Sequence, residues 1–197
     1  MSATDLPQRL QEANANDQFR RRWSPRSMTA APLAQSDLEQ LFEAARWSPS
    51  CFNSQPWRFV YAHRDTPVWE TMLANLMDVN RAWAKNAGAL IAVISRSTYS
   101  HNDADAPMHA FDTGSAWMSL ALQAQHQGLV THAMRGFMLA DMEAALAVRA
   151  PYSIQAMIAV GHQGAAEQLS EPLREREQPS PRLSIAEIAF AGRMPEE

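Results

Sequence analysis

Apolar residues recur along this chain at two spacings, and the switches between them mark its elements. Leu38, Leu41, Phe42 and Ala45 fall on one helical face behind Ser36-Asp37-Leu38-Glu39, which has the form of a capping box, so a helix is predicted over 36–47. The aromatic and β-branched run WRFVYAH predicts a strand over 57–63. Thr66-Pro67 supplies a cap and a first helical residue, and Trp69, Met72, Leu73, Leu76 and Val79 form the apolar face of a helix running to about 79. ALIAVIS, 89–95, is continuously apolar, as in a strand buried on both faces. The longest helical pattern runs from about 108 to 127, stopped by Gly128. Its apolar residues, Phe111, Trp117, Met118, Leu120, Ala121 and Leu122, occupy more than one stripe, which places the helix centrally or against a second copy. LVTHAM (129–134) and SIQAMIAVG (153–161) read as strands, with a short helix over 139–149 between them.

The ends are polar. Leu6–Arg22 is compatible with helix, and residues 163–197, rich in Pro, Glu and Arg, carry so little core material that they are either disordered or wrapped around a partner. Helices and strands mix without strict alternation, so the class is α+β: one mixed sheet flanked by helices, in a single domain over 1–197 with its core at about 15–162. With 46% hydrophobic residues the chain buries a core without disulfides. Cys51 has no partner for a disulfide, no early apolar run suits a signal peptide, and no run of about 18 apolar residues spans a bilayer. A cytoplasmic location is the expectation. The net charge of −4 argues against nucleic-acid binding.

Charge type changes the picture more than net charge. Of 17 basic residues only Lys85 is lysine, and arginine is the side chain that holds phosphate and carboxylate bidentately. The seven glycines form neither GxGxxG nor GxxxxGK[ST], so a nucleotide-like ligand needs arginines and loop amides instead. Two segments offer them. In Arg22-Trp23-Ser24-Pro25-Arg26 alternate residues of an extended chain present guanidinium, hydroxyl and guanidinium to one side, and in Pro179-Ser180-Pro181-Arg182 prolines hold one arginine on an extended backbone. Between helix and strand lies SPSCFNSQPW, a loop stiffened by Pro49 and Pro56 and filled with short polar groups. His101, Asp103, Asp105 and His109 have the composition of a metal site but no recognisable ligand spacing, and read as a solvated loop before a helix; no metal is expected. His126 and His132 flank Gly128, His132 as core or cofactor-adjacent.

The motifs in order are R-x-S-x-R at 22–26, S-P-S-C-F-N-S-Q-P-W at 48–57, Asn80 with Trp83, a glycine-terminated central helix, M-R-G-F at 134–137 and P-S-P-R-L-S-I-A-E at 179–187. Together they resemble the nitroreductase family of FMN enzymes over about residues 15–193. The resemblance implies that Arg22, Trp23 (through its backbone), Ser24 and Arg26 bind the FMN phosphate and ribityl chain, and that Arg182 closes on the phosphate. It assigns Asn80 to the pyrimidine edge of the ring and the backbone of Arg135 and Gly136 to its reactive edge. The same resemblance implies that Pro49, Ser50, Cys51, Asn53 and Gln55 approach the flavin from the other subunit of an intertwined homodimer, whose C-terminal extension, 163–197, embraces its neighbour. A polar-rimmed tricyclic ring needs short donors and acceptors on a backbone that does not flex, which accounts for the loop's composition.

The activity so implied is ping-pong hydride transfer from NADH or NADPH, through flavin N5, to a small flat acceptor such as a nitroaromatic, quinone or enone. The cofactor carries that chemistry, so no catalytic side chain is named. Two flavin-binding alternatives remain at this level: a storage or sensor protein that binds FMN without turnover, and a related reductive dehalogenase or desaturase, the loop at 96–109 being the place where such enzymes differ. A structural interaction protein is the third. Arg135 departs from the family's small or acidic residues, and a cation there favours an anionic reduced ring or an acidic substrate; Cys51 reads as a small loop residue beside the ring.

Overall fold

A computed structural model describes residue 9 and residues 11–195. Four strands, β1 (Trp57–His63), β2 (Ala89–Arg96), β3 (Val130–Met134) and β4 (Tyr152–Gly161), form a sheet in the order β1-β2-β4-β3. Its three pairings are all antiparallel, so the parallel pair that a mixed sheet requires is absent among the described residues. Among the described residues eight α-helices accompany it: α1 (Asp17–Arg21), α2 (Gln35–Arg46), α3 (Pro67–Ala74), α4 (Asp78–Ala84), α5 (His109–His126), α6 (Leu139–Ala145), α7 (Glu171–Arg174) and α8 (Ile185–Ile188).

The α+β class holds, in three layers. On β2 the side chains of Leu90, Ala92 and Ile94 join Trp69, Met72, Trp83 and Met142 of α3, α4 and α6, while Ala89, Ile91 and Val93 join Leu38, Leu41, Ala116 and Leu120 of α2 and α5. Period-two alternation in a central strand thus feeds two separate cores. That is why 89–94 is apolar at every position although its neighbours run antiparallel.

Three local expectations shift. The first helix of the core is capped at Ala34, not Ser36: the Asp37 carboxylate accepts the Ala34 N–H at 3.0 Å, and alanine has no side-chain oxygen to return the bond. The helix predicted to run from 66 to 79 stops at Ala74 and restarts at Asp78. At the break Leu76 bridges to Phe137, the Met77 N–H donates to the Gly136 carbonyl, and the Met138 N–H donates to the Asn75 carbonyl. This long-range pairing outcompetes the local helix and turns Val79 out to solvent. The helix predicted over 139–149 ends at Ala145, and Ala147 has φ 55°. Of the polar N-terminal stretch, residues 6–8 and 10 lie outside the described residues, and among the described ones helix spans Asp17–Arg21, capped by Asn16.

After β4 the chain turns back along residues 26–29. Met28 bridges to Gln163, the Thr29 N–H donates to His162, and the Gly164 N–H donates to the Ser27 carbonyl at 2.9 Å. Glycine is required at 164 by close approach: a Cβ there would stand 2.8 Å from Ser27 Oγ and 3.1 Å from the Met28 carbonyl carbon. Gly164→Ala is expected to destabilise the fold by about 1–3 kcal/mol, read as a lower denaturant midpoint with an unchanged slope. Among the described residues no helix is long and apolar enough to cross a membrane.

Candidate functional site

Residues 22–26 leave α1 in extended backbone, with Arg22 at φ −67°, ψ 124°. Arg22 Nη1 donates to Ser24 Oγ at 3.3 Å, so the alternation expected of the segment puts guanidinium and hydroxyl side by side. Burial lowers the Arg22 pKa, and so does the positive charge of Arg182. Arg182 is exposed, its Nη1 turned onto the carbonyls of Ser180 and Pro181 at 3.2 and 2.9 Å. The positive charges of Arg22 and Arg182, from opposite ends of the polypeptide, therefore lie near enough to repel.

A third arginine, which the sequence did not single out, stands with them. Arg9 is 7% exposed. Its pKa is lowered by burial and then by Arg182 and Arg22. Among the described residues no carboxylate pairs with Arg9, Arg22 or Arg182. Three like charges held close in a partly buried place repel one another, and an anion with several acceptor oxygens is what relieves them.

Arg26 has other charged neighbours. Its pKa is lowered by burial and by Arg176, and is raised by Glu177. It borders His132, whose ring joins the arginine segment to the sheet: Nδ1 lies 3.1 Å from the Pro25 carbonyl, and the ring packs on Trp83 of α4 with centroids 4.6 Å apart. Burial is the main cause that pushes the His132 pKa down to about 4, with the charges of Arg26 and Arg22 adding to it, so the ring is neutral at pH 7.

One turn before Trp83, Asn80 donates from Nδ2 to the Gly136 carbonyl at 3.0 Å. That bond fixes the amide and leaves its Oδ1 free to accept. The N–H of Gly136 makes no main-chain bond among the described residues. A Cβ at 136 would stand 2.6 Å from Asn80 Nδ2, so glycine is needed for the two to close on one another. Arg135 is exposed, its guanidinium 4.9 Å from the centroid of Phe137. Arg22, Trp23, Ser24, Arg26, Asn80, Arg135, Gly136 and Arg182 are thus linked through α4, β3 and the two terminal segments.

The polar loop stands elsewhere in the chain. Trp57, just after it, pairs with Ser95, and Ser95 pairs with Ser153 at the start of β4, whereas Met28 bridges Gln163 just beyond the end of β4. About ten residues of strand separate the two, roughly 30 Å. Pro49, Ser50, Cys51, Asn53 and Gln55 are therefore not brought to the arginines within one chain.

The loop is held stiffly and under strain. Phe52, Asn53 and Gln55 have φ of 52°, 51° and 46°, a left-handed region costing about 1–3 kcal/mol at each non-glycine residue. The buried carboxylate of Asp112 accepts the Cys51 N–H at 3.0 Å, Ser50 Oγ accepts the Gln55 N–H at 3.0 Å, and Ser48 Oγ lies 2.8 Å from Ser119 Oγ. Tyr99 donates to Cys51 Sγ at 3.7 Å, a bond that holds the phenol pKa above its ordinary value. At the tip Phe52 is 83% exposed and meets Tyr99 edge-on at 5.8 Å. In the 96–109 segment, Asp103 pairs with Arg96 at 2.7 Å, Thr98 bridges Asp105, and His109 Nδ1 lies 2.8 Å from Ser95 Oγ.

Comparison with known proteins bears on the whole arrangement. A solved structure described as an oxidoreductase containing FMN superposes with a TM-score of 0.92 at 39% identity, covering 96% of this chain and 97% of that one. An uncharacterised 15.4 kDa protein of Mycolicibacterium smegmatis is 33% identical over 126 residues, 62% of this chain and 82% of its own length. The major NAD(P)H-flavin oxidoreductase of Aliivibrio fischeri is 32% identical over 75 residues, 37% of this chain and 34% of that enzyme. The model of the nitroreductase family matches residues 19–67 and 62–162, which hold the arginine segment, the strained loop, Asn80 and Gly136. With that match spanning most of the polypeptide and a superposition covering nearly all of it, the chain belongs to the nitroreductase family.

Proposed function

We propose that this chain binds FMN and is an FMN-dependent oxidoreductase that takes hydride from NADH or NADPH and delivers two electrons to a small flat acceptor. One observation carries the reading: Arg9 donates to the carbonyls of both Arg22 and Ser180, which brings the segments of Arg22 and Arg182 together with no acidic partner for the three arginines among the described residues, as a phosphate end demands. FMN, when bound, supplies the two-electron chemistry itself.

The chain's own residues bind and orient. Arg22 and Arg182 grip the phosphate, and Ser24 Oγ, already accepting from Arg22, faces the ribityl chain. Arg26 lies near His132, with Arg176 and Glu177 as its charged neighbours. Asn80 offers Oδ1 to an N–H on the pyrimidine edge, its amide held by Gly136. The unpaired Gly136 N–H points to the reactive edge, and Arg135 adds a positive charge there that favours an acidic acceptor or an anionic reduced ring.

Its other wall comes from a second copy. Pro49, Ser50, Cys51, Asn53 and Gln55 lie too far from their own chain's arginines, and the surface suits a homodimer. Trp47 and Phe52 are 74% and 83% exposed, and Phe111 and Met118 form an exposed stripe on α5 at 73% and 37%. In the symmetric pair each strained loop borders its neighbour's ring, and the apolar residues of 183–194 cover the partner.

Anaerobic addition of NADPH to the flavin-loaded protein is expected to bleach its visible absorption, and a quinone or nitroaromatic is expected to restore it. Flavin that binds but stays oxidised under both NADH and NADPH would support a storage or sensor role instead.

A further inference from the structure

The anion site joins two segments more than 150 residues apart in sequence, so something must hold residue 182 against residue 22. Arg182 cannot do so itself, because its own hydrogen bonds run to Ser180 and Pro181. Two other charged side chains span the gap. The Glu177 carboxylate accepts the Arg26 N–H at 2.7 and 3.0 Å and the Ser27 N–H at 2.7 Å. Ser27 is 1% exposed, so its amide has no water to turn to if Glu177 is lost. From the other side Arg9 donates through Nη1 to the carbonyls of Arg20 and Arg22 at 2.6 and 2.8 Å, and through Nε to the Ser180 carbonyl at 3.2 Å.

We infer that Glu177 and Arg9 are positioning residues, a two-point latch that docks residues 177–182 on residues 20–27 and so assembles the phosphate end from Arg22 and Arg182. The inference rests on the FMN reading for the identity of the anion. Every latch bond runs to a main-chain atom, and all but the two from Arg9 to Arg20 and Arg22 cross to the other terminal segment, with one partner charged in each, which makes them strong and specific in direction. Repulsion among Arg9, Arg22 and Arg182 works against the closed latch, and an anion between them removes that opposition. Tail docking and phosphate binding therefore favour one another reciprocally. A ligand without phosphate gains nothing from the latch.

Hydrogen exchange on the ligand-free protein, with FMN and riboflavin affinities measured in parallel, tests this. In Glu177→Ala the amides of 26–27 and the tail around 177–184 are expected to exchange roughly tenfold faster, and FMN affinity is expected to fall roughly tenfold with riboflavin affinity unchanged. Glu177→Gln, which keeps the shape and one acceptor oxygen, is expected to fall between the two and serves if the alanine variant does not fold. Unchanged exchange in both variants overturns the latch whether or not FMN binds. A wild-type protein that prefers FMN to riboflavin, with the preference intact in the Glu177 variants, overturns the latch and leaves the site reading standing. Wild-type protein that holds both flavins equally sinks the site reading itself.

Discussion

Arg22→Ala and Arg182→Ala are each expected to weaken FMN binding by roughly 10- to 100-fold, the range given by about 1.5–3 kcal/mol for a hydrogen bond to a charged group. Riboflavin binding should not change, because the group lost meets only the phosphate. Arg26→Ala separates this account from a general loss of positive field. Its guanidinium answers to Arg176 and Glu177 and not to Arg182, so its removal should lower affinity for both flavins alike. Titration calorimetry with the two ligands reads the difference. Equal losses for FMN and riboflavin in Arg22→Ala would take that residue away from the phosphate.

Acid should destabilise the protein through His132. The ring has its pKa pushed down to about 4 in the folded state, against 6.5 when unfolded. Between these values the unfolded chain binds the extra proton and the folded chain does not, so stability is whole above pH 6.5 and is lost as pH falls toward 4. Integrated over the window, the loss is about 3 kcal/mol. Urea denaturation of the ligand-free protein at pH 7 and pH 4.5 measures it. His132→Gln, which has no proton to gain, should flatten that part of the profile while costing some stability at pH 7 through lost packing on Trp83. An equally steep profile in the variant would place the acid sensitivity on another group.

The strands were legible because burial on a pleated sheet writes itself locally. WRFVYAH and ALIAVIS match β1 and β2 within one residue, and Gly128 ends α5 with φ 74°. What the local pattern misses is decided at a distance. The break between α3 and α4 is made by Gly136 and Met138, some sixty residues on, and it is this break that turns Asn80 toward Gly136. Strand direction is likewise a matter of partners, so an antiparallel sheet and a mixed one look alike in the sequence. Within the site, Arg22, Ser24, Asn80, Gly136 and Arg182 carry motif spacing. Arg9 and Glu177 carry none, an arginine in a polar leader and a glutamate among many in the tail. Their meaning lies in carbonyls and amides that no side-chain pattern records. Strain at Phe52 and Gln55 is equally silent, since neither residue type advertises a left-handed backbone.

The most direct measurement is the identity and amount of small molecule released when the purified, flavin-saturated protein is heat-denatured. One FMN per chain, retained through dialysis by the wild type and lost from Arg22→Ala, is the result predicted. Protein that stays colourless after incubation with FMN, or that retains riboflavin as firmly as FMN, would contradict it.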